Sequence, residues 1–211
     1  MTSQQIASYR TTEGKRAWTT AGALMAVAPL ASLATYDIGS FVPVAALLGP
    51  ALYSASLVIF AVGSNGKGRI TGDRKLGAVS LVILAVVMFA TAAFWVAVSR
   101  HPSPGPLMAF GIAATVVEFA LALAAVVEIK RARVVRRPWC DAPLWALIAV
   151  SATWLIPNII NATGTAQADI VTAMAFGTVE GFLRMALPIL LGGLAILLAH
   201  IPATEKTVEV L

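Results

Sequence analysis

Six apolar runs punctuated by short polar connections occupy most of the chain, at residues 17–36, 41–63, 76–99, 107–129, 144–162 and 176–199. Each approximates the ~20 residues with which a helix rising 1.5 Å per residue crosses a ~30 Å hydrocarbon core. The connections at 37–40, 101–106 and 164–175 are short. Helices joined so tightly pack as antiparallel neighbours. The pattern predicts an all-α integral membrane protein, a bundle of six transmembrane helices forming one domain over residues 1–211.

Charge orients the bundle. Thirteen of the fifteen Lys and Arg residues fall on one side of the pattern: Arg10, Lys15 and Arg16, then Lys67, Arg69, Arg74 and Lys75, then Lys130, Arg131, Arg133, Arg136 and Arg137, and finally Lys206. Only Arg100 lies on the other side, and Arg184 lies inside a span. Cytoplasmic loops carry such an excess, so both termini are expected in the cytoplasm, with a bacterial cytoplasmic membrane as the location. Composition agrees. The chain has 59% hydrophobic and 12% charged residues, against about a quarter charged in soluble domains. Little is left outside the spans for a soluble catalytic domain. The net charge of +5 sits at helix ends, where each cation gains ~1 kcal/mol from anionic headgroups. The expected partner is the lipid bilayer and not nucleic acid.

Several features have ordinary readings. Lys15 and Arg16, the apolar stretch after them and the small residues up to Ala34 imitate a secretory leader, but the span is read as retained. Cys140 is the single cysteine, which excludes an internal disulfide or thiol cluster within the chain. The segment from Ser64 to Arg69 has turn composition and reads as a flexible basic loop, because a phosphate-cradling loop needs a strand before it. Trp18, Trp139 and Trp145 are placed at the inner boundary and Tyr36 and Trp95 at the outer one, as amphipathic rings prefer. Trp154 falls mid-span and is expected to face protein or a cavity. Pro29, Pro50, Pro157 and Pro188 are read as interior prolines that free backbone carbonyls.

Charged groups within hydrocarbon cost ~2.5–3.5 kcal/mol each even on insertion scales, so they require interior placement and partners. Glu118 lies mid-way along the fourth span, on a face with Thr115, Ala122 and Ala125. The sixth span places Glu180 and Arg184 four residues apart, on one face, beside a Gly177/Gly181 pair. In the fifth, Ser151, Trp154, Asn158 and Asn161 share a face. Two readings remain open. Either the acids neutralise Arg184 and the Asn residues fix helix contacts, or Glu118, Glu180, Arg184, Asn158, Asn161 and Trp154 line a cavity in the outer half of the last three helices. One cation cannot compensate two buried carboxylates, and a surplus acid would exchange protons near neutral pH.

No cofactor or metal site is expected. His101 and His200 fall on opposite sides of the membrane, which disfavours bis-His haem and zinc. There is no HExxH, no GxSxG and no lysine within a span for a Schiff base. Neither the Pro-Gly-Pro-Asn of the lysine-exporter type nor the Asn-Pro-Ala-Pro of the acetate-uptake type occurs. The leading expectation is a small-solute or proton-linked transporter or channel rather than an enzyme. Glu118 would be its protonatable or cation-binding group and Arg184 its anion partner. The alternatives are a non-catalytic subunit or assembly factor of a larger membrane complex, docked to a membrane-protein partner or to its own copies, and an intramembrane lipid-acting enzyme.

Overall fold

Runs of Ala, Leu, Val and Ile with few polar side chains satisfy their backbone groups locally, and the helix is the form that does so within one segment. The structure, a computed structural model, describes residues 12–35, 43–64, 67–98, 104–132, 134–135, 139–162 and 170–201, with side chains described except at 43, 104–108 and 157–174. Six α-helices account for the apolar runs: α1 (Thr12–Ala34), α2 (Leu48–Val62), α3 (Lys75–Val98), α4 (Pro104–Ala132), α5 (Ala142–Ala162) and α6 (Ile170–His200). No strand occurs among the described residues. All six segments are long and apolar enough to cross a membrane, counting the 3-10 turn before α2 as part of its span.

The boundaries differ from the hydropathy pattern in two instructive places. The second apolar run opens with a 3-10 turn, Pro43–Leu47, so α2 starts at Leu48. Pro50 therefore sits in the first turn of α2 and not in a helix interior. No intrahelical partner awaits a donor there, and its ring costs nothing. Pro29 and Pro188 do lie inside helices. The last helix begins at Ile170, ahead of the apolar run.

Each helix packs on the next in sequence, and α6 returns to pack extensively on α1, so the bundle closes as a ring. Glycine makes the closure. A Cβ built on Gly22 would lie 2.6 Å from the Gly192 carbonyl oxygen, and one on Gly192 would meet the Gly22 carbonyl in turn. The two backbones touch, as small-residue seams allow within apolar bundles. Gly49 does the same for α2 against Ala28 and Ser32 of α1. The buried core gathers Trp18, Ala21, Met25, Leu57, Phe60, Ala61, Leu81, Leu84, Ala85, Ala125, Ala195 and Ala199. These positions share the end of the bundle that carries the lysines and arginines, hereafter the basic end. None comes from α5.

The described residues of the α2–α3 connection are tied to the helices. Trp18 is buried, stacks edge-on against Phe60 with ring centroids 6.1 Å apart, and donates its indole N–H to the Gly68 carbonyl at 2.6 Å. It is thus a core anchor and not an interfacial belt residue. The α2–α3 connection turns at Gly63, Gly68 and Gly72, all with positive φ, a region that side chains with a Cβ rarely enter. The Ile70 N–H bonds the Phe60 carbonyl at 3.0 Å and ties this loop back onto α2. The described residues of the expected basic loop are thus hydrogen-bonded to α1 and α2.

Candidate functional site

Glu118 is the central residue of α4, fourteen positions from either end of Pro104–Ala132. At 1.5 Å per residue that places it ~21 Å from each terminus. Its carboxylate accepts a hydrogen bond from the Thr91 hydroxyl of α3 and feels the charge of Arg184 on α6. Arg184 itself pairs elsewhere. Its Nη2 lies 2.6 Å from Oε1 of Glu180, one turn earlier on its own helix. Glu118 has no ion-pair partner among the described residues.

These groups stand at one end of an axial cavity of about 770 Å³ to which all six helices contribute. Along α4 its wall runs from Thr115 to Ile129, a length of ~21 Å. The polar residues of the wall collect at the Thr115 end, where Glu118 and Arg184 are joined by Ser32, Tyr53, Ser151 and Trp154. From there to the basic end the wall is apolar, with Leu57, Phe60, Leu84, Ala122, Val126 and Leu191 among its residues.

Local structure explains why the polar end offers acceptors. Ser32, Thr115 and Ser151 each donate their hydroxyl hydrogen to a carbonyl one turn back on their own helix, at 3.2, 2.9 and 2.7 Å. A hydroxyl so committed keeps only lone pairs to offer inward. The Ser54 hydroxyl donates to the Ala85 carbonyl at 2.9 Å and fixes the register of α2 against α3. The wall is therefore positioned by side-chain bonds as well as by packing.

Of the residues expected to form a site, Glu118, Arg184 and Trp154 line the same cavity. Glu180 reaches it through its pair with Arg184. Asn158 and Asn161 belong to α5, but their side chains lie outside the described part. The sequence confined the site to the last three helices. In the structure α1, α2 and α3 supply half of the ring, including Tyr53 and Thr91. Residue types alone held no signal for Thr91, which is one of many Ser and Thr residues in these spans.

A second polar cluster lies at the basic end and has a structural role. Glu128 is buried and pairs with Arg74 and Arg131, each at 3.2 Å. Gly77 makes room for it, since a Cβ there would sit 2.8 Å from both the Glu128 Cβ and the Thr71 Cγ2. Lys130 pairs with Asp141 at 2.9 Å, and Lys67 with Glu13 at 3.4 Å. These pairs staple the connections to the helix ends. Its one sequence signal was the i, i+3 spacing of Glu128 and Arg131.

The Gly177/Gly181 pair meets no other part of the chain among the described residues. Nothing lies within 4 Å of a Cβ built on either. No group of three or more His, Cys, Asp or Glu residues able to hold a metal occurs among the described residues. No protein-family model, curated protein or solved structure matches the chain.

Proposed function

We propose that this chain is a six-pass membrane transport protein, inserted with both termini in the cytoplasm, whose substrate site is the axial cavity and whose ionisable group is Glu118. Membrane insertion is supported by the outer surface of the bundle, where Leu30, Ile83, Val86, Ile112, Phe182, Leu190 and Leu197 are exposed. An apolar exterior on that scale exceeds the patches that water-soluble monomers tolerate. The orientation follows from the basic end, which lies in the cytoplasm by the positive-inside rule.

The observation that carries the transport reading is the placement of Glu118. A carboxylate at the centre of an apolar 29-residue helix, facing a cavity and without an ion-pair partner among the described residues, is costly unless it has a task. Packing alone is served equally well by an apolar residue. In a carrier the same group takes up a proton or a cation as the cavity alternates between the two faces. Pro29 and Pro188, which line the cavity, free carbonyls in α1 and α6 and let these helices bend as it does so.

The test is proton flux in proteoliposomes loaded with a pH-sensitive dye, under an imposed pH gradient and a clamped membrane potential. Vesicles with the wild-type protein collapse the gradient faster than protein-free vesicles, and Glu118→Gln returns the rate to the protein-free value. Equal rates for wild type and Glu118→Gln would remove Glu118 from the mechanism.

A second reading, a subunit of a larger membrane complex, is favoured by one observation: the open Gly177/Gly181 face of α6. Small-residue faces of that kind admit a close helix partner. Stable co-purification of one defined membrane protein, lost on Gly181→Leu, is its signature.

A further inference from the structure

We infer that the axial cavity binds an amphipathic monocation, which enters sideways from the bilayer through a seam between α4 and α5. The inference rests on the reading of the chain as a membrane transport protein and names its substrate class.

The seam comes first. Val116 and Phe119 on α4 and Leu155 on α5 line the cavity and are also exposed on the outside of the bundle. Side chains that face both the cavity and the exterior form the rim of an opening. The packing agrees, because α5 contributes nothing to the core cluster and meets α4 only sparsely. The rim is apolar and faces what would be lipid, so it admits apolar or amphipathic molecules in preference to hydrated ions, whose transfer into hydrocarbon is prohibitive.

The shape of the cavity then selects an amphipath. A body of aryl or alkyl groups fits the apolar wall between Leu57 and Val126, while a polar head meets the Glu118 end. The sign of the head follows from charge. Glu180 neutralises Arg184 within α6, which leaves Glu118 as the uncompensated charge and gives the three ionised groups a net charge of −1. A single positive charge balances it, whereas an anion meets no uncompensated cation among the described residues of the wall. Tyr53 and Trp154 stand at the same end, and aromatic rings add attraction for a cation. Ser32, Thr115 and Ser151 offer lone pairs there rather than donors, which again favours a positive head.

Equilibrium dialysis of the purified full-length protein in detergent, with empty micelles subtracted, tests this. The probes are tetraphenylphosphonium and tetraphenylborate, which share a shape and differ in sign. Wild type binds about one tetraphenylphosphonium per chain and binds tetraphenylborate at least tenfold more weakly. Glu118→Gln loses at least tenfold in affinity for the cation. Ala122→Trp, which fills the cavity beside Glu118, blocks cation binding and covers the case in which Glu118→Gln does not fold. Equal binding of the two ions by wild type overturns the inference without any variant. So does unaltered cation binding by a folded Glu118→Gln. The proteoliposome experiment stands apart from this one. Glu118-dependent proton flux without cation binding overturns the substrate class and keeps the transport reading. Cation binding without flux keeps a ligand site and removes transport.

Discussion

Arg184 gives its guanidinium to Glu180, one turn earlier on α6 at 2.6 Å, and leaves the Glu118 carboxylate across the cavity to the Thr91 hydroxyl. Had the cation paired with Glu118, the uncompensated carboxylate would be Glu180, which does not line the cavity. The choice of partner places the uncompensated charge on the cavity wall, at Glu118, and with it sets the class of molecule that fits.

That choice is testable by charge alone. In Glu180→Gln, Arg184 loses its partner and its charge turns to Glu118, so the polar end becomes neutral overall. Tetraphenylphosphonium affinity is expected to fall about tenfold, which corresponds to ~1.4 kcal/mol. The double variant Glu180→Gln/Arg184→Gln restores the net charge of −1 and recovers binding. A purely steric role for these residues predicts no recovery.

Ring closure depends on Gly22 and Gly192. A methyl group on Gly22 must push against the Gly192 carbonyl at 2.6 Å and Ile196 Cγ1 at 3.0 Å, and overpacking of that kind costs about 1–3 kcal/mol. Gly22→Ala and Gly192→Ala are therefore expected to lower the melting temperature in detergent. Gly177→Ala and Gly181→Ala, with open space around them, leave it unchanged. Comparison of the four melting curves settles whether the α1–α6 seam carries the ring.

Trp18 is the anchor of the basic end. Trp18→Phe keeps a ring against Phe60 but removes the donor to the buried Gly68 carbonyl. An acceptor stranded in this way costs about 1–3 kcal/mol. The expected result is a melting temperature lower by several degrees, with faster proteolysis in the 63–74 connection. Trp18 lines the far, apolar end of the same cavity, and because Phe keeps a ring there, cation binding at the Glu118 end is expected to change less than threefold, about 0.7 kcal/mol.

Glu128 holds two arginines whose own side chains are 47% and 64% exposed. Exposure lowers the worth of each pair to about 1 kcal/mol or less. A double-mutant cycle of Arg74→Ala and Glu128→Gln is expected to return a coupling of that size. Transport is expected to survive both changes, because the cluster belongs to the staple at the basic end and not to the cavity.

The sequence carried the helices well, since hydrophobic runs of about twenty residues have few alternative forms. It carried Glu118, Arg184 and Trp154 for the same reason that membranes make polar residues conspicuous. It did not carry the pairing. Glu118 and Glu180 were equally plausible partners for Arg184 by type, and only the packing of α4 against α3 draws Glu118 toward Thr91. The α1–α6 closure was equally hidden, because Gly22 and Gly192 are ordinary members of Ala- and Gly-rich spans. The more regular Gly177/Gly181 spacing, by contrast, marks no contact among the described residues. Long-range partners of small residues leave no local trace.

The most direct test of the central claim is carboxyl labelling of the membrane-embedded protein with dicyclohexylcarbodiimide, an apolar reagent that attacks protonated acids and reaches them through lipid. Labelled peptides are read by mass spectrometry with and without tetraphenylphosphonium. The account predicts an adduct on Glu118, formed faster than any on the arginine-paired Glu128, and slowed by the cation. No adduct on Glu118, or one formed at the same rate whether or not the cation is present, would contradict it.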